Sequence, residues 1–323
     1  MDWFQDLTGF AESDYETTRG RLRVEGRTLH SLVNARTFSI GELTTPSLME
    51  LREQASFGGK ATAAPTIRTV YGNVRELHCA PEYAGSLFQV ASQFNLLEMV
   101  NPSVTPEQGV TQYQWDNTQG PACAIAAGAA TIYRNYFAPV AGGFGQTADR
   151  QIDMLADLGA ELANRLGKSV PDLYRMQNGY ALASREGLTA IRDYLTDCDE
   201  FERDTLRALL RIGLHVDVDV TARRFETPHR VSQAFCSALP VAYSAHGPDL
   251  WEPFAQLVLE ATYEATLLAG VICRQQGGSN IVSLTRVGGG AFGNEVRWVD
   301  KAIRRALDSV SDPDLDVRLI SLT

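Results

Sequence analysis

Cysteine is scarce in this sequence and follows no pairing pattern. The 323 residues include five cysteines, an odd number, and no two of them have Cys-x-x-Cys spacing: Cys79, Cys123, Cys198, Cys236 and Cys273. This argues against a disulfide framework and against a zinc site built from spaced cysteines. We therefore expect buried thiols in a reducing compartment, and a cytoplasmic protein.

An excess of positive charge and a long apolar run are also lacking. Lys and Arg number 29 against 39 Asp and Glu, so the net charge is −10. Nucleic acids and anionic membranes bind clustered cations, so neither is expected as the main partner. A local cationic pocket that binds a phosphate is still possible. Charges break the apolar stretches before the ~20 residues of a membrane span, and residues 1–6 have no secretion-signal character.

The overall composition, with 44% hydrophobic and 21% charged residues, is that of a globular protein. The length fits about two domains or one large one. Residues 21–30 predict two short strands, residues 47–54 a short helix, and the small residues of 58–65 a linker. We therefore expect an N-terminal extension over residues 1–65 and a main domain over residues 66–323.

Apolar strand-like runs alternate with helical patterns along the main domain. Strands are predicted over 69–78, 87–92, 130–137, 173–183, 213–221, 230–243, 280–287 and 316–322. Helices are predicted over 121–129, 148–166, 185–195, 200–212, 248–274 and 295–310. This alternation is typical of an α/β fold with a largely parallel sheet covered on both faces. In such folds, ligands lie beyond the carboxyl ends of strands.

One turn between a strand and a helix is rich in glycine. Residues 288–294 read Gly-Gly-Gly-Ala-Phe-Gly-Asn, after a predicted strand and before a predicted helix. Converging backbone N–H groups and a helix N-terminus favour a phosphate or diphosphate ligand. The alternative is a tight turn whose glycines only relieve crowding. Gly288, Gly290 and Gly293 match the glycine spacing of the dinucleotide-binding fingerprint, but the second strand that should follow and end in an acid is missing. No lysine follows the glycines at the spacing of a P-loop. Neither a dehydrogenase nor an ATPase is therefore indicated.

Acids and amides concentrate in a second region. A predicted buried strand ends before Glu98, and residues 113–121 pack an acid, amides, aromatics and a hydroxyl closely together. Carboxylates at an anomeric carbon can activate water or stabilise an oxocarbenium-like transition state, which makes Glu98 and Asp116 the candidate catalytic residues. Alternatively, Asp116 caps a turn and Glu98 is a solvated helix residue.

Other polar residues carry weaker signals. His215 lies on an alternating strand, and Cys236 fits a small core residue at a strand end. Nothing in the sequence calls for a metal or a cofactor.

Three segments together resemble one family. Residues 93–98 (Gln-Phe-Asn-Leu-Leu-Glu), 116–123 (Asp-Asn-Thr-Gln-Gly-Pro-Ala-Cys) and 284–294, with the glycine loop, resemble the macrodomain-like ADP-ribosylhydrolases related to the bacterial effector MavL. That group removes ADP-ribose from arginine, including arginine of ubiquitin. The resemblance covers about residues 70–323.

The resemblance implies a macrodomain-like three-layer α/β/α sandwich with a mixed central sheet. It implies a diphosphate loop formed by Gly288, Gly289, Gly290, Ala291, Phe292, Gly293 and Asn294. It also implies that Asn95 lies near the distal ribose, that Glu98 and Asp116 flank the scissile bond, and that Gln119 and Gly120 line the same pocket. ADP-ribose and an ADP-ribosylated protein, such as ubiquitin, are the implied partners.

The sequence also departs from related groups. The Asn-Ala-Ala-Asn type motif of many macrodomains is absent, as is the poly(ADP-ribose) glycohydrolase pattern of glycines and paired glutamates. We therefore expect an arginine-directed N-glycosidic hydrolase in which Asp116 is the general base and Glu98 orients the guanidinium. Two alternatives stay open: a non-catalytic ADP-ribose-binding module, and a hydrolase of a free derivative such as ADP-ribose 1″-phosphate.

Overall fold

The structure, a computed structural model, describes residues 2–55 and 63–322, so residues 58–62 of the predicted linker lie outside the described residues. In this part of the chain the helices are α1 Trp3–Thr8, α2 Tyr15–Gly20, α3 Leu48–Gln54, α4 Val74–Cys79, α5 Gln119–Ala126, α6 Gly128–Tyr136, α7 Ala156–Leu166, α8 Val170–Leu173, α9 Arg185–Asp197, α10 Glu200–Ala208, α11 Pro248–Gln275 and α12 Val296–Ser309. The strands are β1 Leu22–Glu25, β2 Thr28–Ser31, β3 Thr37–Ser39, β4 Glu42–Thr44, β5 Thr66–Tyr71, β6 Leu87–Ala91, β7 Pro139–Val140, β8 Gly143–Phe144, β9 Tyr174–Gln177, β10 Tyr180–Ala183, β11 Gly213–Asp219, β12 Arg230–Cys236, β13 Ile281–Leu284 and β14 Asp316–Ser321.

The largest sheet among these residues has seven strands in the order β4-β11-β12-β6-β13-β14-β5. The neighbours from β12 to β5 are parallel, whereas β11 is antiparallel to both β12 and β4. The sheet is therefore mixed and mostly parallel. The carboxyl ends of β12, β6 and β13 meet at one edge, which is where such folds place their ligands.

Helices cover both faces of this sheet. Successive side chains of a strand point to opposite faces. Phe88 of β6 stacks on His78 of α4, with ring centroids 3.7 Å apart. Its neighbour Gln89 donates instead to Thr266 of α11, at 2.8 Å. The predicted α/β fold with helices on both sides of a mixed sheet is thus confirmed, and this is the three-layer arrangement that the family resemblance implies.

The core of the molecule is organised around α11. This helix is long and apolar enough, by length and composition, to cross a membrane, and its most apolar segment is entirely buried within the protein. It packs against the sheet as well as against α12, α9 and α3. Burial inside the fold therefore accounts for its apolar character.

The N-terminal residues also contribute to the main sheet. Strand β4 pairs with β11, with Thr44 opposite Leu214. Helix α3 begins at a capping box in which Ser47 and Glu50 exchange hydrogen bonds, and it packs against α11. The division at residue 65 stays a prediction, but residues 2–55 supply an edge strand and a covering helix.

Several predicted elements differ from the observed ones. The strand predicted over 130–137 is wrong: these residues belong mostly to α6, whose β-branched and aromatic residues are buried by neighbouring elements. The strand predicted over 173–183 is a hairpin, because Asn178 and Gly179 adopt positive φ values of 47° and 80° and reverse the chain. The strand predicted over 69–78 ends at Tyr71, and α4 follows with Asn73 as its N-cap.

Candidate active site

A cleft opens at the carboxyl ends of β12, β6 and β13. It holds about 750 Å³ of empty space, counted out to its open mouth. Eight residues predicted to form the site line it: Glu98, Asp116, Gln119, Gly120, Gly288, Gly290, Ala291 and Phe292. The three sequence segments, far apart in the chain, therefore meet in one cavity.

The start of the glycine loop is held rigidly by the core. The hydroxyl of Tyr263 in α11 donates to the carbonyl of Thr285 at 2.7 Å and accepts from the backbone N–H of Val287 at 2.9 Å. Asn294 closes the far end by donating to the carbonyls of Leu239 and Gly288. The loop is consequently fixed at both ends without a ligand.

The middle of the loop leaves backbone donors free. In the described part of the chain, no carbonyl or side chain accepts from the N–H groups of Gly290, Ala291 and Phe292. A Cβ placed on Gly290 would meet nothing within 4 Å. Free N–H groups that line a cleft ahead of the N-terminus of α12 suit an anion such as a diphosphate.

Two other glycines of the loop have a packing role. Gly288 and Gly293 have φ values of 73° and 71°, which L side chains rarely adopt. An added Cβ would lie 2.4 Å from the Ala238 side chain at Gly288 and 2.9 Å from the Ala242 side chain at Gly293. The alternative interpretation, glycine to relieve crowding, therefore describes these two positions.

Glu98 is presented by a tight turn after β6. Leu96 takes a φ of 65°, unusual for a residue with a branched side chain, and such strain often accompanies a functional site. The side chain of Asn95 accepts from Leu97 N–H at 3.1 Å, and that of Gln93 accepts from Met99 N–H at 2.7 Å. The backbone N–H of Glu98 donates to the hydroxyl of Tyr113 at 2.9 Å. These bonds fix the backbone on both sides of the acid.

The Glu98 carboxyl is buried and incompletely bonded. It is only 4% exposed, and its Oε1 has no hydrogen-bond partner among the described residues. Burial raises its pKa well above the usual 4.5; the positive charge of Arg134 lowers it and the negative charge of Asp116 raises it. The alternative of a solvated helix residue is therefore wrong, and burial favours the protonated form of the Glu98 carboxyl.

Asp116 lies at the rim of the same cleft and is partly exposed. Its Oδ1 accepts from the backbone N–H of Thr118 at 2.8 Å and from the Thr118 hydroxyl at 2.7 Å. The turn-capping role expected as an alternative is thus present. It occupies one oxygen, and the residue still contributes to the cleft wall.

Gln119 and Gly120 join helix α5 to the end of β6. The Gln119 side chain accepts from Ala91 N–H at 3.0 Å and donates to the carbonyl of Gln89 at 2.8 Å. Gly120 lies close to the end of β6 and to Glu98. A Cβ added to it would be 2.0 Å from the Ala91 carbonyl oxygen and 2.2 Å from Oε2 of Glu98. Glycine at this position lets the helix approach the acid.

Four of the predicted ligand-binding residues do not line the cleft: Asn95, Gly289, Gly293 and Asn294. Asn95 is fully buried, and it donates to Gln151 at 2.9 Å in addition to bracing the Glu98 turn. Asn294 is likewise buried and closes the glycine loop. Their observed contacts position other residues of the site.

One wall of the cleft is aromatic and was not predicted from the sequence. Tyr180, Tyr243 and Phe292 pack with ring centroids 5.1 to 5.7 Å apart, and all three line the cleft. Of these, only Phe292 was singled out from the sequence. Tyr180 follows the Asn178-Gly179 turn, so recognition of that hairpin would have placed it. The position of Tyr243, in a three-residue 3-10 helix beyond β12, carries no local signal.

Arg286, also missed, supplies a cation at the cleft. It lines the cavity beside the glycine loop and forms an ion pair with Asp300 at 3.1 Å. A guanidinium at this place complements an anionic ligand on the loop. Arg286 thus provides the local positive charge that the sequence left possible in spite of its net negative charge.

Other groups considered from the sequence are structural. Cys236 is buried, and burial raises its thiol pKa to about 12, so the thiol is unreactive. Burial and the charge of Arg134 lower the pKa of His215 to about 3. In residues 2–55 and 63–322, no cluster of three or more His, Cys, Asp or Glu side chains could hold a metal ion.

Replacing Glu98 by Gln is expected to stabilise the protein increasingly as the pH rises. A carboxyl whose pKa is raised on folding contributes stability that is present below its unfolded value of 4.5 and is lost as the pH climbs through the folded value. The wild type should therefore lose up to about 1.4 kcal/mol of unfolding free energy per pH unit in that interval relative to Glu98→Gln. Urea unfolding from pH 4.5 to 8 measures this, with exposed Glu226→Gln as the control. Parallel curves for wild type and Glu98→Gln would contradict the raised pKa.

Comparisons with known proteins give structural matches alone. No protein-family model matches the chain, and no curated protein matches it. A poly(ADP-ribose) glycohydrolase from Thermomonospora curvata is 12% identical, with 94% of this chain and 88% of that chain covered and a TM-score of 0.44. The same enzyme bound to the inhibitor ADP-HPD has the same identity and coverage and a TM-score of 0.42. A mutant poly(ADP-ribose) glycohydrolase from Deinococcus radiodurans in complex with ADP-ribose is 12% identical, with 86% of each chain covered and a TM-score of 0.43. The relation to the arginine-directed group stays a prediction.

Proposed function

We propose that this protein is a hydrolase that releases ADP-ribose from a glycosidic linkage, and that the linkage is to an arginine of a protein. One observation carries the proposal: a buried carboxyl at Glu98, whose pKa is raised by burial, and a partly exposed carboxyl at Asp116 line the same cleft as a glycine loop with free backbone donors. Pairs of acids whose environments separate their protonation states are the usual apparatus for glycosidic cleavage.

The cleft provides complementary groups for the parts of ADP-ribose. The free N–H groups of Gly290, Ala291 and Phe292 would bind the diphosphate, with Arg286 as the nearby cation. The aromatic wall of Tyr180, Tyr243 and Phe292 offers apolar surface to a sugar or base ring. Holding the diphosphate in this way would place the distal ribose against the two acids.

The proposed chemical step is a hydrolysis. A water oxygen bonds to the anomeric carbon, and the carbon–nitrogen bond breaks with its electron pair going to the guanidine nitrogen. Asp116 accepts the proton from water, and Glu98 gives its proton to the departing nitrogen, so arginine leaves as the guanidinium. The products are ADP-ribose and unmodified arginine.

The assignment to arginine is the finer part of the proposal. It is supported by the carboxyl oxygens of Glu98 and Asp116 at the place where the leaving group would be, since a guanidinium can donate hydrogen bonds to both. Ubiquitin is the protein substrate to test first, because the family resemblance includes it.

The test is to incubate the purified protein with an arginine-ADP-ribosylated protein, ADP-ribosylated ubiquitin among them, and to measure free ADP-ribose. We expect catalytic release, with calorimetry giving a dissociation constant for ADP-ribose in the same preparation. Heat-denatured protein controls for spontaneous release.

Other outcomes separate the rival functions. Binding without release from any linkage would identify a non-catalytic ADP-ribose-binding module. Release from ADP-ribose 1″-phosphate but not from protein would identify a hydrolase of free derivatives. Neither binding nor release would show that the glycine loop serves another ligand.

A further inference from the structure

A second cleft adjoins the first at the two acids. Its walls include Trp115, Val100, Gln112 and Asn117 as well as Glu98 and Asp116, and it holds about 820 Å³ of empty space, counted out to its mouth. Glu98, Val100 and Asp116 line both clefts. The acids therefore stand at the junction of two spaces, and only one of these contains the glycine loop.

The second cleft displays an exposed aromatic ring. Trp115 is 70% exposed and Val100 is 54% exposed. In the part of the chain that the structure describes, the Trp115 ring makes no aromatic or cation–π contact, although Trp is the residue whose face binds cations best. The face of this ring is therefore available to a cation that enters the cleft.

The backbone beneath this ring is well supported. The carboxylate of Glu12 accepts from the N–H groups of Val110 and Thr111 at 2.7 to 2.9 Å. The N–H of Asp116 donates to the carbonyl of Tyr113 at 3.1 Å, and the Tyr113 side chain is buried. Hydrogen bonds therefore hold the backbone of the segment that ends at Trp115.

The second cleft offers no cationic side chain to an anionic ligand. Two carboxyl groups and no Lys or Arg are among the lining residues. Arg134, whose positive charge lowers the pKa of Glu98, is itself fully buried and does not line this cleft. A further ADP-ribose unit of a polymer would bring two phosphates into a cleft that offers them no cation, whereas a guanidinium can donate hydrogen bonds to the carboxyl oxygens of Glu98 and Asp116.

We infer that the second cleft is the subsite for the modified side chain, in which the face of Trp115 receives the arginine guanidinium and Val100 contacts the adjoining peptide. The inference rests on the proposed function and makes it more specific: the ADP-ribosyl group enters from the glycine-loop side and the protein from the Trp115 side. The scissile bond then lies between Glu98 and Asp116, where the two clefts meet. Trp115 is a specificity-determining residue in this arrangement.

The test compares two synthetic peptides of the same sequence, one ADP-ribosylated on arginine and one on serine. For Trp115→Ala we expect about a threefold to thirtyfold loss in kcat/KM on the arginine peptide, the range given by a cation–π contact. The dissociation constants of the serine peptide and of free ADP-ribose, measured by calorimetry, should change less than twofold. Trp115→Phe should restore most of the loss, because it keeps an aromatic face.

A matched control is available in Phe201, an aromatic residue of α10 that is 81% exposed and is not among the residues that line either cleft. Phe201→Ala should leave all these quantities unchanged. A loss of serine-peptide affinity in Trp115→Ala as large as the loss in kcat/KM on the arginine peptide, or a loss below twofold on the arginine peptide, would overturn the subsite.

The subsite can be tested even if the proposed hydrolysis does not occur. If the wild type releases nothing, the arginine peptide survives and its dissociation constant can be measured directly by calorimetry. The subsite then requires the arginine peptide to bind more tightly than free ADP-ribose, and Trp115→Ala to remove that difference. Equal affinities in the wild type would overturn the subsite, whatever the catalytic result.

Discussion

Glu98→Gln is expected to lower the turnover of the arginine-linked substrate by about 10²–10⁴-fold, the usual contribution of a positioned acid or base. ADP-ribose affinity should stay within about twofold, because the free donors of the glycine loop are untouched. Gln has nearly the same shape as protonated Glu, so the turn after β6 should fold as before. The amide cannot release a proton to the leaving nitrogen, and this is the function that the variant removes.

The pH dependence separates this role from a structural one. If Glu98 acts as an acid, wild-type kcat should fall as the pH rises through the raised pKa of its carboxyl, and the residual activity of Glu98→Gln should lack that fall. Asp116→Asn should instead lose activity with the high-pH fall retained. Full activity in Glu98→Gln would show that the buried carboxyl serves only the fold of the turn.

The measurements are steady-state kinetics from pH 5 to 9 and calorimetry with ADP-ribose. Glu226→Gln, at an exposed position, is the matched control and should behave as wild type. A variant that loses both activity and ADP-ribose binding would point to a misfolded cleft, which circular dichroism and urea unfolding would detect.

The parts of the site that the sequence predicted are those with a local signal. A strand, a run of glycines and a helix follow one another directly, so the position of residues 288–294 between β13 and α12 could be predicted from the chain. The end of β6 was equally clear, and because β6 and β13 are parallel neighbours, the loops after them had to meet. This brought Glu98 and the glycine loop to one edge of the sheet.

The parts that the sequence could not predict depend on tertiary contacts. Burial of Glu98 arises from Tyr113, Gly120 and the turn around Leu96, and none of these carries a pattern that indicates burial. The β-branched and aromatic residues of α6 suggested a strand, and packing on its neighbours favours a helix instead. Tyr243 reaches the cleft from a 3-10 helix of three residues, and so short an element leaves no periodic signal.

Gly120→Ala is expected to lower turnover by about 10²-fold, as a displacement of about 1 Å at a catalytic group can, and to reduce the unfolding free energy by about 1–3 kcal/mol. The new Cβ would lie 2.0 Å from the Ala91 carbonyl oxygen and 2.2 Å from Oε2 of Glu98. Neither distance is tolerable, so helix α5, the end of β6 or the Glu98 side chain must move. Movement of β6 is resisted because Gln119 bonds to its backbone on both sides of Val90.

The same substitution at Gly20 is the matched control. Gly20 is the last residue of α2, and a Cβ there meets nothing within 4 Å. Gly20→Ala should therefore leave turnover unchanged and raise stability by up to about 1 kcal/mol, because Ala favours a helix over Gly. The two variants thus have opposite effects on stability for the same chemical change.

Thermal and urea unfolding, together with kcat on the arginine-linked substrate, test the prediction. A combined variant, Gly120→Ala with Glu98→Gln, adds a test of the mechanism: if the added methyl group acts by displacing the acid, its effect on turnover should largely vanish once the acid is gone. Independent, multiplying losses would mean that the methyl group damages the cleft by another route. Wild-type turnover in Gly120→Ala alone would show that the site does not depend on the close approach of α5 to Glu98.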